Sequence, residues 1–353
     1  KPTYRERVPF ALWASEAEHR RYLSEHGMDD KPPEPGMFSK QIVLAQFGEM
    51  VRRGFSSTRT AVWPHAVEHF LDSYWCRRAV EFLQRPHERP FALFLFLWAP
   101  HPPLRVPEPY ASLFDPDGLD LPANVGQVPE GEPANRRQGI ARQLGEGVTM
   151  EEWRKVWAAH LGLVNLVDAG IGTVLDAVDA SGLSNDTIVT FTVDHGDFLG
   201  QRCMYQKFEM YEQAICMPWT VRLPDAGPGT FDVPVSHLDV MPTLLELMGM
   251  SIPDDLDGIS LGDRVAQATA PPERPVFCEF CGSRGRDMDR RAAITKRHKY
   301  VCDPHDIPEL YDLQEDPLEM NNLASDPRHA DTVRELHAQC KAWAERCGDW
   351  MEF

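Results

Sequence analysis

Residues 187–193, Thr-Ile-Val-Thr-Phe-Thr-Val, form an uncharged β-branched and aromatic run bounded by Asp186 before it and Gly196 after it. Such a run is expected as a strand buried on both faces of a parallel sheet, and that commits the chain to an α/β fold. At its C-terminal end stand Asp194, His195 and Asp197, with Gly196 and Gly200 loosening the backbone between and after them. Ligands collect at the carboxyl ends of strands in open α/β sheets. A carboxylate and an imidazole placed there both suit a divalent cation. Lys207 follows on the same loop as a compact positive charge for an anionic oxygen. A turn with Asp as a helix N-cap is the plainer reading of the same Asp-His-Gly.

The chain has 353 residues, room for one large domain or a large one with an appendage. Its formal charge of −18 argues against nucleic acid or an anionic membrane as the partner. An anionic substrate must therefore be drawn in by a local positive site or a metal. No apolar run reaches the length of a membrane span, 91–100 being strand-sized. Eight cysteines are scattered without a framework spacing. Cys278 and Cys281 make a C-x-x-C with no second pair or His cluster to complete a zinc site, so reduced structural thiols are expected. The chain begins at Lys1 with neither an initiator Met nor a signal peptide, and its start does not reveal the compartment; a soluble protein is expected, cytoplasmic ahead of periplasmic or secreted.

Along the chain, residues 1–60 are rich in Pro, Gly and charge and suggest a surface excursion with short helices and no clean strand. Residues 72–84 carry Trp75, Ala79, Phe82 and Leu83 at helical spacing, and Pro86 and Pro90 mark the end. Residues 91–98, Phe-Ala-Leu-Phe-Leu-Phe-Leu-Trp, are expected as a second buried strand. It runs into Pro100-His101-Pro102-Pro103, where prolines hold His101 stiffly at a strand end. Residues 111–149 read as a long loop shaping a pocket rim. From Met150 to Ala180 the pattern is strongly helical, starting at Thr149 or Met150 and ending near Gly182. Residues 218–223 predict a third strand and 239–249 a short helix with Pro242 in its first turn. Beyond Pro271-Pro272, short strands at 276–279, 292–295, 300–302 and 310–312 and a helix over 330–346 suggest a small antiparallel α+β subdomain. The expected division is therefore 1–268 and 269–353.

Four separated segments resemble the sulfatases of the alkaline-phosphatase superfamily, in the family's order. They are the strand ending in Pro100-His101-Pro102-Pro103, and the helix–strand block from Asn165 and Asp168 to Asp194-His195-Gly196. Third is Ser236-His237 followed by Asp239 and Pro242-Thr243-Leu244-Leu245, and fourth is Glu309-Leu310-Tyr311-Asp312-Leu313 with Asp316-Pro317 and Asn322-Leu323-Ala324. The resemblance implies an alkaline-phosphatase-like, largely parallel sheet flanked by helices. It implies that Asp194 and His195 bind one divalent ion, Ca2+ foremost, with Mn2+ or Mg2+ as alternatives. His101 and Lys207 would contact a small sulfate-ester substrate, Lys207 neutralising charge and His101 acting as general acid. Phosphonate monoesters and phosphodiesters are the alternative substrates.

The sequence departs from that family at one decisive place. The nucleophile motif, C/S-x-P/A-x-R, fits none of the eight cysteines. The accompanying pair of metal-binding aspartates is also absent, since 1–60 contains only Asp29-Asp30 in a polar context. The nucleophile is expected on an N-terminal fragment of the same protein, or the chain is an inactive metal- or anion-binding fragment. Missing strands would leave an apolar edge, so self-association into oligomers or aggregates is expected.

Overall fold

The computed structural model describes residues 14–46, 49–224, 226–282 and 289–353. In chain order the elements begin with α1 (Glu16–Glu25), β1 (Ser39–Gln46), β2 (Glu49–Ser56), β3 (Thr60–Trp63), α2 (Leu71–Leu83) and β4 (Leu104–Pro107). Then come α3 (Ala134–Gln138), α4 (Ile140–Gly145), α5 (Met150–Ala180), β5 (Val189–Thr192), α6 (Glu212–Ile215) and β6 (Trp219–Arg222). The last third adds α7 (Val240–Leu247), α8 (Gly262–Ala266), β7 (Val276–Cys281), β8 (Asp289–Ile294), β9 (His298–Cys302), β10 (Glu309–Asp312) and α9 (Ala330–Cys347). Contacts divide the chain into two compact units. The first comprises residues up to Lys40, Gly54–Leu121 and Val148–Asp186; the second comprises Gln41–Arg53, Pro122–Gly147 and Thr187–Phe353. Residues 269–353, expected as a subdomain, lie within the second unit together with 187–268.

In the first unit β3 pairs in parallel with β4, from Thr60 opposite Leu104 to Trp63 opposite Pro107. Helix α5 packs along α2 and over β4. It starts where the sequence says it should: the Thr149 side chain accepts from the Glu152 amide, and the Glu152 carboxylate accepts from the Thr149 amide. Gly182, just past its end, sits at φ +70°, the left-handed conformation that favours glycine. Within the helix Gly162 is obligatory, because a Cβ there would lie 2.4 Å from the Tyr110 carbonyl oxygen. Leu83, Ala177 and Val178 form a core cluster with Val80, Phe82 and Phe91 around it. Among the described residues α5 alone is long and apolar enough to cross a membrane, yet it packs on α2, β3, β4 and the turns at 110–112 and 116–118.

Three expectations about this part of the chain need correction. Residues 39–63 are not strandless, for β1, β2 and β3 lie there. The overlooked signal is short alternation, Ile42 and Leu44 being buried while Val43 between them is exposed. Residues 91–98 are not a buried strand. No strand among the described residues pairs with them, and Phe94 and Phe96 are 70% and 79% exposed. An apolar run becomes a buried strand only with a neighbour to take its backbone hydrogen bonds. Residues 111–149 are more than loop, since they carry the short helices α3 and α4.

In the second unit, β10, β9, β8 and β7 form an antiparallel sheet in that order. Helix α9 packs on it, with Leu336 and Cys340 against Ala293, Tyr300, Cys302 and Leu310. The strands, helix α7 with Pro242 in its first turn, and α9 fall where periodicity and turn residues predict them. Strand β5 corresponds to the central run but pairs antiparallel with β6, Val189 opposite Arg222. It is mostly exposed rather than buried on both faces. Burying both faces of a strand requires layers above and below it, and among the described strands β5 has one neighbour, β6.

The interior of this unit is ionic. Arg136, on α3, donates from Nε to Glu309 at 2.9 Å and from Nη1 to Asp303 at 3.0 Å. Arg290 donates to Glu209 at 2.6 Å, and its Nε lies 3.3 Å from Asp303. Glu309 also accepts from the Tyr211 and Tyr311 hydroxyls at 2.7 and 2.8 Å. Burial works against the Glu309 carboxylate, but Arg136 and the two hydroxyls overcome it and hold its pKa below the usual range. Lys299, fully buried, meets Glu212 at 2.9 Å and Glu319 at 2.5 Å. Every charge here has an opposite partner, which is what burial of so many ions requires.

Candidate active site

The loop from Asp194 to Glu209 connects β5 to this ionic interior. Gly196 fixes its entry: the amide donates to the Ala214 carbonyl at 3.0 Å, and a Cβ there would lie 2.0 Å from the Gln213 carbonyl oxygen. No other residue fits. Asp197, half-buried, accepts on Oδ1 from the amides of Leu199 and Gln206, both at 3.0 Å, so it closes the loop on itself. Burial raises the Asp197 pKa to about 6 against those two hydrogen bonds and the nearby Lys207. Leu199, Arg202, Cys203, Gln206 and Phe208 all adopt positive φ. Such conformations cost roughly 1 kcal/mol or more each outside glycine and persist only where the surroundings dictate them. Here Asp197 dictates them, together with Arg202, whose amide donates to the Asn124 carbonyl and whose guanidinium lies 3.7 Å from the Tyr211 ring centre. At the far end Glu209 is held by Arg290 and Arg136.

This rigid loop brings Asp194, His195 and Lys207 to one open cavity of about 270 Å³. The Asp194 carboxylate is solvent-exposed, and its Oδ2 lies 3.4 Å from His195 Nε2. His195 Nδ1 is 2.9 Å from the Gly196 carbonyl. A carbonyl only accepts, so Nδ1 carries a proton, and Nε2 is the nitrogen that faces the carboxylate and offers a lone pair to a metal ion. Two lone-pair donors turned to one another in this way fit a shared cation. Burial lowers the Lys207 pKa, and Asp194 and Asp197 act to raise it. The remaining wall is largely apolar, with Met210, Met217 and Phe280 among its residues. Among the described residues no group of three or more His, Cys, Asp or Glu side chains is arranged to hold a metal.

His101 belongs to the first unit and the other three residues to the second. Its Nδ1 is 2.6 Å from the Pro102 carbonyl, and its ring lies against Trp98 at 4.5 Å between centres. The loop carrying it is anchored by Asp72 on α2, which accepts from the Trp98 amide at 2.5 Å and the Ala99 amide at 3.1 Å. Asp72 was legible in principle, since it heads the buried stripe that continues through Cys76, Ala79 and Leu83. Other residues take plainer roles. Asp30 accepts from Trp63 and Arg105 and is structural. Tyr205 and Tyr211 are buried and absent from the cavity wall. Cys278 and Cys281 lie an odd number of residues apart on β7, which turns them to opposite faces. Cys278 lines the cavity as a protonated thiol, its pKa pushed by burial to about 11.

With this geometry in hand, the chain was compared with known proteins. The family model described as Sulfatase matches residues 28–250, well over half of the chain. The chain belongs to the sulfatase family. A second model, N-sulphoglucosamine sulphohydrolase, C-terminal, matches residues 200–346. The sulfatase chain is 31% identical over 247 residues to "Choline-sulfatase" of Rhizobium meliloti (strain 1021), covering 68% of this chain and 47% of the relative. It is 28% identical to "Multifunctional alkaline phosphatase superfamily protein PehA" of Trinickia caryophylli, covering 84% of this chain and 67% of that one. It thus spans about half to two thirds of the length of these relatives. Among solved structures, the phosphonate monoester hydrolase SpPMH from Silicibacter pomeroyi superposes with a TM-score of 0.68 at 26% identity. That match covers 80% of this chain and 61% of the other. The fold is therefore the alkaline-phosphatase-like α/β fold expected from the sequence, and the family's members are hydrolases.

Proposed function

We propose that this sulfatase chain carries the metal- and anion-binding part of a site that hydrolyses sulfate esters. The observation that carries the reading is the convergence of Asp194, His195 and Lys207, from one strained loop, on one cavity. Asp194 and His195 would hold a divalent ion, Ca2+ foremost given the carboxylate oxygen. When bound, that ion would supply Lewis-acid stabilisation of a sulfate oxygen. Lys207 neutralises the negative charge that spreads over the equatorial oxygens as the ester bond breaks. His101 enters as the general acid for the leaving oxygen on sequence resemblance alone. The nucleophile is assigned to a segment outside these residues, because none of the eight cysteines stands in the required motif.

A phosphonate monoester or phosphodiester is the second reading, supported by the likeness to the phosphonate monoester hydrolase from Silicibacter pomeroyi. Both esters present a tetrahedral anion to the same groups. The test is turnover of an aryl sulfate and of the matching aryl phosphonate ester by the full polypeptide. The first reading expects the sulfate to be cleaved faster, and faster phosphonate cleavage would establish the second. In either case Lys207→Ala should lower turnover by about 10²–10³-fold. No loss in that variant would remove Lys207 from the site.

A further inference from the structure

The motif at 309–324 takes no part in the chemistry proposed above, yet the structure ties it to the loop that carries Asp194 and His195. Its hub is Glu319, which is fully buried. Asp316 shapes the turn that delivers it. The Asp316 carbonyl accepts from the Glu319 amide at 2.9 Å, and its carboxylate oxygens accept from the Met320 and Asn321 amides at 3.0 and 2.7 Å. Glu319 itself stands at φ +56°, a left-handed conformation uncommon outside glycine.

From that position Glu319 holds the second unit at two points. Its backbone carbonyl accepts from Arg202 Nη1, within the 194–209 loop. Its carboxylate Oε2 accepts from the Glu212 amide at 2.7 Å, at the first residue of α6. A helix start leaves such an amide without an intrahelical acceptor, and the residue before it, Tyr211, supplies no side-chain cap. The acceptor comes instead from 107 residues further along the chain. The other carboxylate oxygen pairs with buried Lys299 at 2.5 Å. Helix α6 is in turn what the Asp194–His195 end of the loop rests on. The Ala214 carbonyl accepts from the Gly196 amide at 3.0 Å, and the Gln213 carbonyl leaves Gly196 no room for a Cβ. Ala214 and Ile215 line the same cavity as Asp194 and His195.

Resting on the proposed function, we infer that Glu319 is a positioning residue for the metal-binding end of the site. By capping α6 it fixes the Ala214 carbonyl, and through the Gly196 amide it sets where Asp194 and His195 stand. Outer partners of this kind orient the ligands they support and tune metal affinity.

The test compares two double variants of the full polypeptide, Lys299→Met with Glu319→Gln and Lys299→Met with Glu319→Leu. Neither leaves the Lys299 charge buried alone, so both are expected to fold, and they differ in whether residue 319 offers the Glu212 amide an acceptor. Hydrogen exchange without added metal reads the loop, and calorimetry with Ca2+ alone reads the ligands. Relative to the Gln variant, the Leu variant should exchange about tenfold faster over 194–209, with α9 changed by less than about threefold. Its Ca2+ affinity should be lower by about 10–100-fold, and the Gln variant should stay within about threefold of the wild type. Equal loop exchange in the two variants would overturn the inference. So would faster exchange spread equally to α9, which would make Glu319 a general stabiliser, or a loosened loop with unchanged Ca2+ affinity. A wild type that binds no Ca2+, Mn2+ or Mg2+ would overturn the proposed function instead, and the loop exchange would still decide whether Glu319 holds the loop.

Discussion

The sheet β7–β10 and the segment 91–98 break the usual rule of inside and outside in opposite directions. In the sheet, Arg290, Arg291, Lys299 and Glu309 are buried almost completely. In 91–98, Phe94, Phe96 and Trp98 stand exposed although seven of its eight residues besides Ala92 are large and apolar. The difference lies in partners. Each buried charge meets an opposite charge or a hydroxyl, so its desolvation is offset. The apolar segment meets no strand among the described residues, and composition alone cannot bury a backbone. Burial in this protein follows pairing more closely than hydrophobicity.

That contrast can be broken at its strongest point first. Glu309→Ala leaves Arg136 buried without its main partner and should cost about 3–5 kcal/mol in chemical denaturation. A cost below about 1 kcal/mol would mean the ionic interior is incidental. Next comes a buried group that has no such partner. His160 on α5 is pushed by burial from 6.5 to about 4, and its Nδ1 has no hydrogen-bond partner among the described residues. The unfolded chain therefore binds the proton before the folded one does. Stability from this group is complete above about pH 6.5 and is lost as pH falls toward 4, up to about 3 kcal/mol in all. His160→Leu should flatten that acid limb in urea melts across pH 4–7; an unchanged limb would assign it to other groups. The smallest effect belongs to the exposed run. Phe94→Ser with Phe96→Ser should shift stability by no more than about 0.5 kcal/mol, as for other surface sites. The same pair should reduce self-association in light scattering, since exposed apolar patches drive it. A large loss of stability would show that the segment is buried after all.

What the sequence could reveal follows the same division. Local devices were legible: the helical pattern from Thr149 or Met150 starts α5, Pro242 marks the first turn of α7, and the short strand-like runs after Pro271-Pro272 place β7 to β10. That Asp194, His195 and Lys207 share one loop was readable too, because a strand, a glycine and a following loop fall within twenty-one residues, and the three line one cavity. What escaped depends on residues far apart in the chain. Arg136 and Glu309 are 173 residues apart, and nothing near either announces the other. Whether the strand at 189–192 is buried depends on its neighbours, not on its own letters. The cavity wall was hidden for the same reason, since Met217 and Phe280 come from separate stretches that only the fold brings to the cavity lined by Lys207. Asp194 and Asp197 look alike in sequence, yet one is exposed at the cavity and the other, half-buried, ties the loop by two backbone hydrogen bonds.

The central claim is that Asp194, His195 and Lys207 make the reacting end of the site. Its most direct test measures bound divalent metal and aryl sulfate turnover on the same preparations of the full polypeptide, wild type and Asp194→Ala. The account predicts about one ion per chain in the wild type. In the variant both the ion and the activity should fall away, turnover by about 10³-fold. A variant that keeps its metal and its rate would contradict the account, because the loop would then be structural and the chemistry elsewhere.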